Sequence, residues 1–281
     1  MKTLDLTNLE NSDIKYKVSK FPDGQQSITI TDVPFLEKSE VVIKSRLNSF
    51  KDLEVIICAN QALKELDIED IELYTPYFIG ARSDRKFLAG QSNYLKTVIC
   101  PIINSQNFNK VTVLDPHSDV LEACLNNFRK ISNVAFAKNS INSINGNVTL
   151  ISPDAGAIKK VYDVAVACSI SDIIVANKVR DIKNNGKIVR TEVPGLDDTP
   201  GSKNFVICDD IGDGFGTFIQ IAKSIRNIRP KEIFNDSIYL VVTHSIQEIG
   251  LKNALEYIDL ILTTNSVNDY NIDRVKIFNV F

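Results

Sequence analysis

Short, mostly apolar runs alternate along this chain with longer stretches of helical periodicity, and this alternation constrains the fold more than any other feature. The runs are Glu40–Ile43, Glu72–Thr75, Lys110–Leu114, Asn147–Ile151, Asp172–Val175, Asn204–Cys208, Ile238–Thr243 and Leu260–Thr263. They are apolar on both faces, as strands must be when helices cover both sides of a parallel sheet. Helical periodicity falls at Phe50–Leu66, Asn93–Ser105, Ser118–Lys130, Gly156–Ala167, Thr217–Arg226 and Ser245–Tyr257. The alternation predicts an α/β chain with right-handed crossovers. The Asn-, Ser- and Gly-rich segment Asn139–Asn147 divides it, giving two doubly wound parallel-sheet domains, 1–142 and 143–281.

Composition excludes several classes. With 44% hydrophobic and 24% charged residues the chain is globular rather than disordered. A net charge of −3 argues against a general nucleic-acid surface, so phosphate binding must come from local clusters or backbone amides. No apolar run is long enough to span a bilayer, and the polar start MKTLDLTNLENSDIKYK is unlike a signal peptide. Cys58, Cys100, Cys124, Cys168 and Cys208 form no CxxC pair and read as buried free thiols of a cytoplasmic protein.

In open parallel sheets ligands bind beyond the carboxyl ends of strands, so the residues following each run are the candidates. Glu72–Thr75 leads into Pro76-Tyr77-Phe78 and then Ala81-Arg82-Ser83-Asp84-Arg85. Two arginines three apart can clamp an anion by forked hydrogen bonds, and an internal Arg–Asp pair explains the motif equally well. Asp115-Pro116-His117 and Ser152-Pro153-Asp154 follow the next strand ends, and imidazole with carboxylate suits a divalent cation that keeps its waters. Asn204–Cys208 leads into Asp209-Asp210-Ile211-Gly212-Asp213-Gly214-Phe215-Gly216-Thr217. Paired acids can accept from ribose hydroxyls or bind hydrated Mg²⁺. Glycines and a helix N-terminus admit a phosphate closely. No Gly-Lys-Ser/Thr follows, and the acids precede the glycines. This is neither a P-loop nor a dinucleotide fingerprint.

Taken in order, these loops resemble the ribose-phosphate pyrophosphokinases, whose domains are of phosphoribosyltransferase type. Phe21-Pro22-Asp23-Gly24-Gln25 is similar to a loop that reaches adenine across a subunit contact in that family. Ala81-Arg82-Ser83-Asp84-Arg85 resembles its ATP loop, and Asp115-Pro116-His117 and Ser152-Pro153-Asp154 its metal-proximal turns. Lys178-Val179-Arg180 resembles the start of its catalytic flexible loop, and Asp209–Thr217 its ribose-phosphate loop. Thr243-His244 with Gly250 echoes a further segment. The resemblance implies a Mg²⁺-dependent transferase acting on ATP and ribose 5-phosphate as a cytoplasmic homo-oligomer, a dimer or hexamer. It implies Lys178 and Arg180 as catalytic residues. Phe21, Asp23, Gln25, Arg82, Ser83, Asp84, Arg85 and His117 would bind ATP, and His117 and Asp154 the metal. Asp209, Asp210, Gly212, Asp213, Gly214, Phe215, Gly216 and Thr217 would bind the ribose phosphate.

Three departures matter. Gln25 and Ser83 replace Glu and Gln on the adenine side, and Gly214-Phe215 replaces Thr-Gly in the phosphate loop. A ring at Phe215 is expected to line the path of a larger 5′-substituent, which raises ADP-ribose as an alternative acceptor for NAD synthesis. A phosphoribosyltransferase would not need the Arg82–Arg85 and His117 loops. A silent regulatory homologue would be expected to lack Lys178 and Arg180. The polar stretch Arg180–Lys187 is expected to be a mobile flap.

Overall fold

The structure, a computed structural model, describes residues 1–31, 39–86, 88–181, 187–197 and 200–281, with the side chains of 178–181 and 187–190 outside the description. It forms two compact units, residues 1–132 with Phe281, and 133–280.

In the first unit the elements are β1 (Lys2–Asp5), β2 (Tyr16–Lys20), β3 (Gln26–Ile30), β4 (Val41–Lys44), α1 (Phe50–Lys64), β5 (Ile71–Tyr74), α2 (Cys100–Asn104), β6 (Lys110–Leu114), α3 (Val120–Cys124) and β7 (Phe128–Ile131). The sheet order is β1-β4-β5-β6-β7, all parallel, while β2 and β3 form a separate antiparallel ribbon. A capping box starts α1: Ser49 Oγ accepts from Asp52 N–H at 3.3 Å and Asp52 Oδ2 accepts from Ser49 N–H at 2.9 Å. Pro101 has no N–H for the Thr97 carbonyl, and the turn Leu95–Ile99 widens to a π-helical turn before α2. The predicted helix Ser118–Lys130 stops at Cys124. Asn127 takes a left-handed φ of 53°, and Phe128–Ile131 then joins the sheet beside β6.

The second unit contains α4 (Val134–Asn142), β8 (Val148–Ser152), α5 (Ile158–Cys168), β9 (Ile173–Val175), β10 (Asn177–Asp181), β11 (Lys187–Glu192), β12 (Asn204–Gly212), α6 (Gly216–Ile228), β13 (Ser237–Ser245), α7 (Glu248–Ala254), β14 (Leu260–Thr264) and β15 (Val275–Phe278). The predicted boundary at 142/143 therefore moves to 132/133: α4 buries Phe136, Ala137 and Ile141 in the core of this unit. The sheet order is β15-β14-β13-β12-β8-β9, all parallel, and β10 and β11 form an antiparallel hairpin.

Both faces of this sheet are covered, as the apolar runs require. Phe205 and Ile207 of β12 pack with Phe218, Ile221 and Leu251 from α6 and α7. Val206 and Cys208, on the opposite face, pack with Val161, Val164 and Ala165 of α5. The thiols are free, and burial pushes Cys100 up to about 12. Among the described residues no helix is long and apolar enough to cross a membrane.

Candidate active site

From β8 the chain moves outward to β9, then returns to the other side of β8 as β12 and continues to β13, β14 and β15. The direction reverses between β8 and β12. A crevice at the carboxyl ends of the strands belongs at such a reversal. Asp154 lies just past β8, and Asp209 and Asp210 lie on β12.

The acids are part of the strand, which corrects the predicted end at Cys208. β12 runs on to Gly212 against β13, with Asp209 opposite Val242 and Ile211 opposite His244. Its pairing with β8 stops at Ile207 opposite Ile151. Beyond that step β12 has, among the described strands, a neighbour on one side only.

Asp210 continues the face of Val206 and Cys208 and is buried. Lys160 of α5 reaches its Oδ2 at 2.8 Å. Lys160 was not among the candidates from sequence. Its signal is positional: it lies one helical turn from buried Ala157 and Val164 on an otherwise apolar face. Asp209 Oδ1 accepts from Asp210 N–H at 2.9 Å. Burial, with the negative charges of Asp210 and Asp154 nearby, pushes the Asp209 carboxyl well above the usual carboxylate range. Asp154 Oδ1 accepts from the N–H groups of Gly156 and Ala157 at 2.9 and 3.2 Å, so the turn opening α5 fixes this carboxylate.

The glycine loop follows. Ile246 N–H donates to Gly212 O at 2.8 Å and Gln247 Nε2 donates to Asp213 Oδ1 at 2.9 Å, which ties the loop to the segment between β13 and α7. α6 has no side-chain cap, so its first-turn amides are available to an anion. At Gly214 and Gly216 a Cβ would meet nothing within 4 Å, which leaves room for close approach.

Phe215 departs from expectation. It takes a left-handed φ of 61°, costing roughly 1–2 kcal/mol for a non-glycine residue. Its side chain is only 3% exposed and meets Phe218 edge-on at 5.7 Å. Burial of a Phe side chain contributes about 1.5–3 kcal/mol, enough to offset the strain. The ring points into the core, so the expectation that it lines the path of a 5′-substituent does not hold.

His244, at the end of β13, is buried and hydrogen-bonded through Nδ1 to Ser266 Oγ at 2.8 Å. Lys178 and Arg180 lie on β10, opposite Thr191 and Ile188 of β11, with a bulge between Val179 and Arg180. Their side chains, and 182–186 of the proposed flap, lie outside the described residues. The end of β11 and the segment after it are anchored: Ser224 Oγ of α6 donates to Thr191 O at 3.0 Å, and Val193 and Leu196 are buried. Buried Arg229 pairs with Asp236 at 2.7 Å and donates to Leu196 O at 3.4 Å.

In the first unit the arginine and histidine loops leave the carboxyl ends of neighbouring strands, β5 and β6. Thr75 N–H donates to Thr112 O at 3.0 Å and Leu114 N–H donates to Pro76 O at 3.1 Å. Gly80 is required where it stands: its φ is 77°, and a Cβ would come within 2.5 Å of the Tyr94 ring. Asn93 Nδ2 donates to Asp84 O at 2.8 Å, fixing the turn that presents Arg82, Ser83 and Arg85. Arg85 lies 3.8 Å from Asp84, so the internal pair is formed, while the Arg85 side chain stays 74% exposed. Asp115 is buried with a φ of 44°, and its sharp turn brings half-buried His117 to the strand end. Phe21, Asp23 and Gln25 are exposed at the tip of the β2–β3 ribbon. That ribbon rests on α1, where Gln26 N–H donates to Glu54 Oε1 at 3.0 Å.

Among the described residues no group of three His, Cys, Asp or Glu side chains is disposed to hold a metal ion by itself. The donors at the switch point are carboxylate oxygens crowded against one another. That chemistry suits a hard divalent cation, and a cation would offset the burial and the neighbouring negative charges that raise Asp209.

No family model matches the chain. Curated relatives do. A ribose-phosphate pyrophosphokinase of Saccharolobus solfataricus is 22% identical over 272 residues, covering 94% of this chain and 88% of that protein. One of Ureaplasma parvum is 26% identical over 257 residues, covering 87% and 71%. The crystal structure of phosphoribosylpyrophosphate synthetase from Mycobacterium smegmatis superposes with a TM-score of 0.81 at 14% identity, covering 97% of this chain and 88% of that one. The fold is thus the two-domain α/β fold of that enzyme.

Proposed function

Taking the chain as the ribose-phosphate pyrophosphokinase relative that its sequence and fold make it, we propose that it transfers the β,γ-diphosphoryl group of ATP to the C1 hydroxyl of a 5-phosphorylated ribose, releasing AMP. The observation that carries this reading is the acidic end of β12, which steps past β8 at the switch point and runs directly into the glycine loop and the N-terminus of α6.

Each part then has one task. Asp209 and Asp210 accept from the ribose hydroxyls, with Lys160 holding Asp210 in place. The backbone amides at the start of α6 take the 5-phosphate, with Gly214 and Gly216 leaving space for it. Arg82 and Arg85 clamp ATP phosphates, and Lys178 and Arg180 meet the charge that develops on the transferred group. Phe21, Asp23 and Gln25 contact adenine from a second copy of the chain, in keeping with their exposure on the ribbon tip. His117 in the first unit and Asp154 in the second are each proposed as a Mg²⁺ ligand; the ion when bound would neutralise charge on the diphosphoryl group. Catalysis is positioning plus electrostatics; no side chain is assigned as general base.

The inward ring of Phe215 leaves no feature of that residue favouring ADP-ribose, so ribose 5-phosphate is the proposed acceptor. Comparing AMP formation from ATP with each acceptor tests this. Preference for ADP-ribose would overturn the choice of acceptor, and failure to form AMP with either would overturn the activity.

A further inference from the structure

The seat of the Phe215 ring is built by glycines that backbone geometry does not require. Neither Gly212 nor Gly250 has a positive φ. A Cβ at Gly212 would lie 2.6 Å from Phe215 Cζ, with the next two closest atoms, at 2.8 and 3.1 Å, also on that ring. A Cβ at Gly250 would lie 2.6 Å from Phe215 Cδ2. Phe215, in turn, occupies the left-handed position that ordinarily favours glycine. Glycine and bulk have changed places: the bulky residue takes the strained turn, and two glycines with ordinary backbone make room for its ring.

We infer that Phe215 is an internal positioning residue, a wedge between the end of β12 and the start of α7 that holds the 213–217 loop preformed before substrate arrives. The left-handed step at Phe215 sets the direction in which the chain enters α6, and hence the aim of its first amides. The ring locks that step against Gly212, Gly250 and Phe218. Without the ring nothing specific selects the left-handed turn, and substrate would have to order the loop as it binds. A loop competent only one-tenth of the time weakens apparent affinity about tenfold. The part of this inference that concerns substrate rests on the proposed ribose-phosphate reading of the loop; the wedge itself does not.

A double-mutant cycle tests both parts. Phe215→Gly should speed amide hydrogen exchange in 213–217 of the ligand-free protein, and inorganic phosphate should slow it again. The variant's KM for ribose 5-phosphate should rise about tenfold while its KM for ATP stays put, a split that general destabilisation would not produce. Gly212→Ala alone should mimic both effects, because its methyl group collides with the ring. In the Phe215→Gly background the same change should add little. If Phe215→Gly does not fold, Phe215→Leu, which keeps apolar bulk without the ring tip, replaces it in the cycle. Equal exchange rates in wild type and variant, or a Gly212→Ala effect of equal size in both backgrounds, would overturn the wedge. Faster exchange with unchanged acceptor KM would confirm the wedge but overturn its assignment to the phosphate loop. Failure of wild type to use a phosphorylated ribose would overturn the functional reading, leaving the exchange cycle to judge the wedge alone.

Discussion

Replacing Lys160 with Met removes the cation that faces Asp210 and keeps most of the apolar stem. The pair is close, 2.8 Å, and dry on the acid side, with side-chain exposures of 22% for Lys160 and 7% for Asp210. At an effective dielectric of 20 the gross attraction is about 6 kcal/mol, most of it offset by the desolvation of both charges. What the substitution exposes is the other side of that balance, a carboxylate left in a buried place without the Lys160 charge. Breaking fully buried pairs this way costs about 3–5 kcal/mol. Water reaches the lysine here, so the low end applies, about 3 kcal/mol. In a unit of this size that lowers Tm by roughly 6–12 °C. Calorimetry of wild type, Lys160→Met, Asp210→Asn and the double variant measures it. Met with Asn should recover more than half of the loss, because no charge is then left stranded. Lys160→Arg should melt near wild type. In the proposed mechanism Lys160→Met also raises the KM for the acceptor more than that for ATP. A Met variant melting within about 1 °C of wild type, or strictly additive single and double variants, would refute the view that Lys160 is the counter-charge of the site.

Asp209 yields a prediction of opposite sign. Its carboxyl is raised in the folded state, so folding takes up a proton. The stability it contributes is present below the ordinary value of 3.8 and lost as pH rises through the raised one. In metal-free buffer Asp209→Asn should therefore melt higher than wild type at neutral pH, with the difference vanishing in acid, while acceptor binding is lost; a lower neutral Tm would contradict the crowding of carboxylates seen here. Activity should disappear in EDTA and return with Mg²⁺ but not with Zn²⁺ alone, since crowded carboxylate oxygens suit a hard cation that keeps its waters; full turnover in EDTA would refute this. Lys178→Ala should depress kcat far more than it raises KM, because the charge it meets belongs to the transition state; an unchanged kcat would mean that β10 does not carry the catalytic cation.

The central strands of the second unit were legible because burial on both faces leaves long apolar runs with few alternatives. The edge strands of the first sheet were not. β1 and β7 are short, and β7 reads Phe-Arg-Lys-Ile with its last three residues exposed. Such a segment has no pattern of its own and becomes a strand because β6 offers its edge. The same tertiary effect hid the end of β12. Asp209 and Asp210 read locally as a turn, yet β13 keeps them paired in the sheet. The positions of the candidate loops were legible because they follow the apolar runs, and the structure places them at strand ends. The direction of a side chain was not: a ring in the phosphate loop suggests a contact with substrate, and only the placement of Gly212 and Gly250 reveals the seat into which the Phe215 ring turns.

The central claim is that two phosphates move together from ATP to the sugar. Parallel reactions with ribose 5-phosphate and ATP labelled at either the α- or the γ-phosphorus test it directly. The γ label should appear in an acid-labile ribose 1-diphosphate in equal amount to AMP, and the α label should remain wholly in AMP. Formation of ADP with a labelled ribose 1,5-bisphosphate, or of free pyrophosphate without a labelled sugar, would contradict the account.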